Sequence, residues 1–322
     1  MTEALPQFQL LAPTTLAEAV AALNETPDVA VSAGGTDLVV QLRRGLCEAT
    51  TLVDLGNVAA LKTIEATETG LSIGAGVTLA EIENNAEISR DYPAVAKAAA
   101  VIAGPTHRTV ATLGGNLCLD TRCVYYNQSH WWRKSNDFCL KYKGEICHVA
   151  PNGNRCRAAF TGDLAPALMV HGAEIEIVGS DCRRRMRLAD FYHEDGADHL
   201  KLAAGEIVAA VHLPPPGPAS DYEKIRVRGS IDFPLAGVAV ACSKSADGAV
   251  RFTVAITGTN SMPILIEPEE ALGGESDREA YFTALGKQVQ KAVSPQRTTT
   301  IAPHYRRLSA AALTIRIAKA LL

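Results

Sequence analysis

The sequence predicts an α+β fold in two unequal parts, and three observations carry that expectation. Before residue 214, short strand-like runs alternate with capped helical patterns, the order of a mixed α/β arrangement. Pro214-Pro-Pro-Gly-Pro218 then makes a rigid break. Beyond it, three strand-like runs are followed by two helical ones, as in a small α+β domain. The predicted domains are 1–216 and 219–322. The first divides again into subdomains of about 1–56 and 57–216, and a long insertion at about 118–160 interrupts the second of these.

Each element has a local reason. Thr15-Leu-Ala-Glu18 is a capping box that opens a helix over Leu16 to Leu23. Asp28 to Ser32 reads as a strand. Ala33-Gly34-Gly35-Thr36-Asp37-Leu38 follows it. Two glycines between a strand and an apolar run let backbone amides turn inward, as a nest for a phosphate. The pattern is not the dinucleotide fingerprint GxGxxG, and taken alone a tight turn explains it as well. Thr51 to Leu55 reads as a strand. Leu61 to Glu68 and Leu71 to Gly76 read as paired strands turning at Gly70. Thr78-Leu-Ala-Glu81 is a second capping box, and Pro93 to Ala103 an alanine-rich helix stopped by Gly104-Pro105. Thr112-Leu113-Gly114-Gly115-Asn116 is a second glycine cluster, either another phosphate cradle or a turn or bulge between strands. Two such clusters in one domain favour a bound diphosphate cofactor.

The insertion from Cys118 to Phe160 has neither the alternation of a strand nor the three–four spacing of a helix. It holds five of the chain's eight cysteines, both tryptophans, and seven lysines and arginines against three acids. It is therefore +4 in a chain of net charge −4. An irregular loop of this length is functional or disordered, and its seven aromatic residues speak against disorder. Thiolates around a metal centre would close several loops at once. Cys123, Cys139, Cys147 and Cys156 are separated by fifteen, seven and eight residues, without the two-residue gap usual in zinc sites. Four spaced cysteines in an aromatic wrapping suit a four-thiolate iron–sulfur cluster. Scattered free or disulfide-bonded cysteines are the alternative, and Cys118 is an alternative ligand.

After the insertion, Asp163-Leu-Ala-Pro-Ala-Leu-Met starts a short helix that Asp163 could cap, and Glu174 to Val178 is a strand. Arg183-Arg-Arg185 and Arg187 read as a solvated turn. His193 and His199 receive no role. Tyr222 to Arg228, Ala236 to Ser243 and Val250 to Thr257 read as strands, and Glu279 to Ala292 and Tyr305 to Leu322 as helices. Lys224 or Arg226 would reach back to the cofactor, or else be an exposed strand charge.

Composition narrows the function class. Of 322 residues, 20% are charged, with a mildly acidic balance that implies no general nucleic-acid affinity. MTEALPQFQLLAPTT has no signal pattern, and no apolar run reaches membrane-spanning length, so the expected location is cytoplasmic and no membrane partner is expected. Cysteines there serve as ligands more often than as disulfides. No Ser–His–Asp or HExxH pattern points to a hydrolase. The residues describe an electron-transfer subunit.

AGGTDL at 33–38, AGPTHRTVATLGGNLC at 103–118 and GDLAPALMVHGAEIEIVG at 162–179 together resemble the FAD-binding subunits of the molybdenum hydroxylase family. The resemblance covers nearly the whole chain. DTRCVYYNQSHWWR and CLKYKGEICH are similar to the insertion of one reductive branch of that family. The resemblance implies the family's two-part FAD-binding domain and smaller C-terminal domain. Val31, Ser32, Ala33, Gly34, Gly35, Thr36, Asp37 and Leu38 would hold the FAD diphosphate. Ile102, Thr112, Leu113, Gly114, Gly115 and Asn116 would line the same site, and Asp163, Val208 and Lys224 would complete it. Cys123, Cys139, Cys147 and Cys156 would bind a [4Fe–4S] cluster. The implied partners are a [2Fe–2S] subunit, a molybdenum-cofactor subunit, a second heterotrimer and a ferredoxin-like donor. The implied reaction is removal of the ring hydroxyl of 4-hydroxybenzoyl-CoA to give benzoyl-CoA, in anaerobic aromatic degradation. An oxidising subunit of the xanthine or carbon monoxide dehydrogenase type and a zinc-stabilised scaffold are the rival readings.

Overall fold

A computed structural model describes residues 4–245, 248–272 and 278–322. Three sheets follow one another along the chain. The first is parallel, with β1 (Gln9–Leu11) and β2 (Val29–Ser32) on either side of β3 (Thr51–Asp54). The second has five antiparallel strands, β4 (Ile64–Thr67), β5 (Gly70–Gly74), β6 (Glu174–Val178), β7 (Arg183–Arg187) and β8 (Ile207–Leu213), in the order β4-β5-β8-β6-β7. The third is an antiparallel row of β9 (Ala219–Ile225), β10 (Ala236–Lys244), β11 (Val250–Thr257) and β12 (Ile264–Ile266). The helices are α1 (Leu16–Glu25), α2 (Leu38–Arg43), α3 (Leu79–Asn84), α4 (Ala86–Asp91), α5 (Pro93–Val101), α6 (Pro105–Arg108), α7 (Leu113–Leu117), α8 (His130–Ser135), α9 (Leu164–Met169), α10 (Arg278–Ala292) and α11 (Pro303–Ala320).

Both capping boxes form. Thr15 Oγ1 accepts from the Glu18 amide at 3.2 Å, and Thr78 Oγ1 from the Glu81 amide at 3.2 Å. In each, the glutamate carboxylate accepts the cap residue's own amide. β10 shows how the third sheet joins the rest. Alternate residues of a strand face opposite sides. Ala239 and Ala241 pack into the main core, while Val238, Val240 and Cys242 pack against α10 and α11. Small side chains on the first face let α9 approach the sheet closely.

The structure corrects three expectations. Arg183 to Arg187 is the edge strand β7 and not a turn. Arg184 and Met186 are half-buried while Arg183, Arg185 and Arg187 face out. Glu176 on β6 pairs with Arg185 at 3.0 Å and also with Arg183, so the charges are partnered and the edge stays protected. The cluster Thr112–Asn116 is neither bulge nor turn but the cap and body of α7, with Thr112 Oγ1 accepting from the Gly115 amide at 3.1 Å. The insertion is turn-rich but contains α8, capped by Ser129.

Candidate functional site

A cleft of about 780 Å³ opens where the parallel sheet meets the five-stranded sheet. The turn from β2 into α2 forms one wall with Val31, Ala33, Gly34, Gly35, Thr36, Asp37 and Leu38. Ile102 after α5, and Thr112, Gly114, Gly115 and Asn116 of α7, form the opposite wall. Asp163 and Val208 also line it. The walls meet backbone to backbone: a Cβ built on Gly34 would lie 1.9 Å from the Val110 carbonyl oxygen. Gly35 takes a φ of +68°, in the left-handed region that favours glycine. The amides that open α7 are already taken: Leu113 donates to the Val77 carbonyl, Gly114 to the Ala75 carbonyl and Gly115 to Thr112 Oγ1.

Three sequence-predicted residues do not line the cleft. Ser32 is the last residue of β2, in register with Asp54. Leu113 is fully buried in the core, because α7 turns that face inward. Lys224 points at Asp163 instead, with Nζ 3.0 Å from Oδ1 and both side chains buried. It is therefore not an exposed strand charge. Asp163 makes no cap on α9. Its carboxylate accepts from the Tyr222 hydroxyl and from Lys224. Burial raises the Asp163 pKa, although Lys224 and Tyr222 pull the other way.

Other cleft residues carried no sequence signal. Arg228, Ile231, Asp232 and Phe233, in the loop after β9, form part of the rim. The Ile231 amide anchors that loop by donating to the Ala103 carbonyl at 3.1 Å. His107 Nδ1 and the Thr161 hydroxyl are buried at the cleft without a partner. Orphaned polar groups of this kind fit a ligand that brings hydrogen bonds.

A second, smaller pocket lies inside the insertion. Cys123, Cys139, Cys147 and Cys156 all line it, with Tyr125, Tyr126, Lys141 and His148. All four thiols are free and buried. The Cys147 thiol is held low, at about 5, chiefly by the facing Cys156 thiol, and that same contact pushes Cys156 up. Burial raises Cys123 to about 11. Cys118 stands apart: it lines the large cleft, and burial pushes it to about 12. Among the described residues, no group of three or more His, Cys, Asp or Glu side chains is arranged to hold a single metal ion. This pocket is far smaller than the cleft.

Two ion pairs with buried cations link the insertion to the cleft. Lys141 Nζ lies 2.5 Å from Asp120 Oδ1, and Arg122 Nη2 2.7 Å from Asp37 Oδ1. Both acids line the cleft. Both cations also stand over the ring of Tyr126, at 4.9 and 5.8 Å from its centroid.

Residues 6–216 match the family model "FAD binding domain in molybdopterin dehydrogenase". The chain belongs to this family. It is an FAD-binding subunit of the molybdenum hydroxylase type. This flavoprotein subunit is 34% identical over 280 residues to the aldehyde oxidoreductase FAD-binding subunit PaoB of Escherichia coli K12, across 84% of this chain and 86% of that one. It is 26% identical over 292 residues to the carbon monoxide dehydrogenase medium chain of Afipia carboxidovorans, across 89% and 84% of the two chains. The solved Cu,Mo-CO dehydrogenase superposes with a TM-score of 0.78 at 21% identity, covering 99% of this chain and 98% of that one. That match shows the α+β fold shared by such flavoprotein subunits.

Proposed function

We propose that this subunit carries a [4Fe–4S] cluster on Cys123, Cys139, Cys147 and Cys156 in addition to FAD in the cleft. It would pass electrons through a [2Fe–2S] subunit to a molybdenum subunit that reduces 4-hydroxybenzoyl-CoA to benzoyl-CoA, in a dimer of heterotrimers. The reading is carried by one observation: the four cysteines, spread over 34 positions of sequence, line one buried pocket beside the cleft. Four thiols suit an iron–sulfur cluster. Zinc fits less well, since no pair of these cysteines has the two-residue gap usual in zinc sites.

When bound, a flavin supplies both one- and two-electron chemistry. The chain's own residues bind and orient. Gly34 and Gly114 let the segments lining the cleft pack against Val110 and Ala75, and Gly35 makes the turn that would face the diphosphate. Asp163 lines the cleft with its carboxylate held by the buried Lys224. Lys141 and Arg122 occupy the wall that electrons would cross from the insertion. Trp131 is 75% exposed on that basic insertion and would meet an acidic ferredoxin-like donor by electrostatic steering.

A second reading is favoured by the relatives' own names, an aldehyde oxidoreductase subunit and a carbon monoxide dehydrogenase chain. In it, electrons would run outward from an oxidised substrate. Iron and sulfide analysis of anaerobically purified protein, with turnover of 4-hydroxybenzoyl-CoA by the complex, separates the two. Four irons per flavin in this subunit, with turnover by the complex, supports the first reading. Flavin without iron in this subunit removes it.

A further inference from the structure

We propose that Arg122 and Arg133 are positioning residues which couple occupancy of the cysteine pocket to dinucleotide binding in the cleft. The inference rests on the reading that the four cysteines hold a centre.

The argument starts from α2. It is six residues long and buries one side chain, Leu42, while Val39 and Val40 stay partly exposed. A helix this short is not stable alone. Its placement is set by what holds its ends, and the insertion holds both. At the N-terminus, Arg122 Nη2 donates to Asp37, the cap residue, at 2.7 Å. At the C-terminus, Arg133 Nη2 donates to the carbonyls of Arg44 at 2.9 Å and Gly45 at 3.0 Å. Arg133 is almost wholly buried. Just beyond, Leu46 packs into the same apolar cluster as Cys123, Cys139 and Cys156. Glu48 accepts from Tyr142 at 2.7 Å and Lys143 at 2.6 Å.

Every clamping residue sits next to a cysteine or between two. Arg122 adjoins Cys123, Arg133 lies between Cys123 and Cys139, and Tyr142 and Lys143 lie between Cys139 and Cys147. A centre that ties the four thiols removes freedom from the loops that carry the clamp. The electrostatic consequence falls on Asp37. This carboxylate stands in the wall built for an anionic diphosphate, where it would repel the ligand. Arg122 neutralises it only while the loop holds Arg122 in place. Loading the pocket therefore favours binding in the cleft, and by linkage the reverse is also true.

The test uses the full subunit in its complex, deflavinated, with the cysteine pocket either iron-loaded or stripped by chelation. FAD affinity is read by fluorescence titration, and iron is counted in the same samples. The wild type is expected to bind FAD about tenfold more tightly when loaded, within the usual range of coupling. In R122Q and R133M the loaded and stripped forms should bind alike. R122K, which keeps a cation beside Asp37, should retain the loaded-form advantage. R122Q leaves the Arg133 bonds to Arg44 and Gly45 intact, so the test stays decisive where R133M fails to fold. Iron-loaded wild type with unchanged FAD affinity overturns the coupling alone. Protein that takes up no iron beyond its partner's [2Fe–2S] complement overturns the cysteine-centre reading and the coupling with it.

Discussion

The cleft and the cysteine pocket lie side by side but are built from different materials. The cleft is made of backbone: the glycine turn at Gly34–Gly35, two helix starts and a carbonyl packed on Gly34. The pocket is made of side chains: four thiols, two tyrosines and a buried lysine. Backbone walls are held by sheets and tolerate side-chain change but not added volume. Side-chain walls are held by a loop and tolerate little removal. The variants below separate the two kinds of construction, beginning with the largest expected effect.

Gly34→Ala should damage the cleft most. The new methyl would lie 1.9 Å from a backbone oxygen that belongs to another segment, so the two walls must part. We expect a loss of at least about 3 kcal/mol, at the upper end of overpacking, together with loss of bound flavin. Thermal unfolding and the flavin-to-protein ratio measure both. Retention of flavin at wild-type stability would show that the backbone wall is softer than its geometry implies.

Lys224→Met attacks the cleft from its buried charges and should cost about 3 kcal/mol at neutral pH, the size of breaking a buried pair. The sign with pH is specific. Asp163 already has a raised pKa from burial, and losing Lys224 raises it further. Its folded pKa then lies well above the unfolded one. The penalty is therefore present above that folded pKa and relieved as the pH falls and the carboxyl takes up a proton. Denaturant titrations of variant and wild type across pH should converge on acidification.

These two residues also mark what could be read from sequence. Capping boxes at Thr15 and Thr78 and the glycine turn at Gly34–Gly35 were legible because each is local: a cap and its partner sit three residues apart. The contact that makes Gly34 indispensable was not, since Val110 comes from another element. Lys224 read equally well as a surface charge because its partner lies 61 residues away. α7 was hidden by two glycines that are poor helix formers, and β7 by a charge run that only an edge strand with Glu176 beside it can hold. The rim at Arg228 to Phe233 left no trace at all. The cysteines were legible as a set by composition, and their spacing left Cys118 as a candidate. Only the fold separates it, by assigning Cys118 to the cleft.

Two buried histidines sharpen the comparison by pH. His171 bonds Ser220 Oγ at 2.9 Å beneath the sheets, and His199 Nε2 donates to the Leu119 carbonyl at 3.0 Å at the root of the insertion. Burial lowers both to about 4, with Lys141 contributing at His199. The unfolded chain therefore binds protons first. Stability is complete above about pH 6.5 and falls as the pH drops toward 4, by about 2 kcal/mol per histidine at pH 5. His199→Gln should flatten that slope and His171→Gln should do so independently, because the two sit in separate environments. A slope unchanged in the double variant would assign acid sensitivity to other groups. Glu206 is one candidate, since Arg184 holds it at about 2 and its contribution is lost only below about pH 4.5.

The smallest effect on stability is expected at the most exposed aromatic residue. Trp131→Ala removes a side chain that is 75% exposed on α8, so folding should change by less than about 0.5 kcal/mol. Its place on the basic insertion gives it a different role if a protein donor docks there. Exposed tryptophans are over-represented among the residues that dominate interface energies. Reduction by an acidic ferredoxin-like donor should then slow about tenfold, equivalent to about 1.4 kcal/mol, and raised salt should slow the wild type as well. Reduction by a small chemical reductant should not change. Stopped-flow traces with both reductants provide the control. Equal slowing with the small reductant would trace the effect to the pocket itself, and no slowing with either would leave Trp131 outside any docking surface.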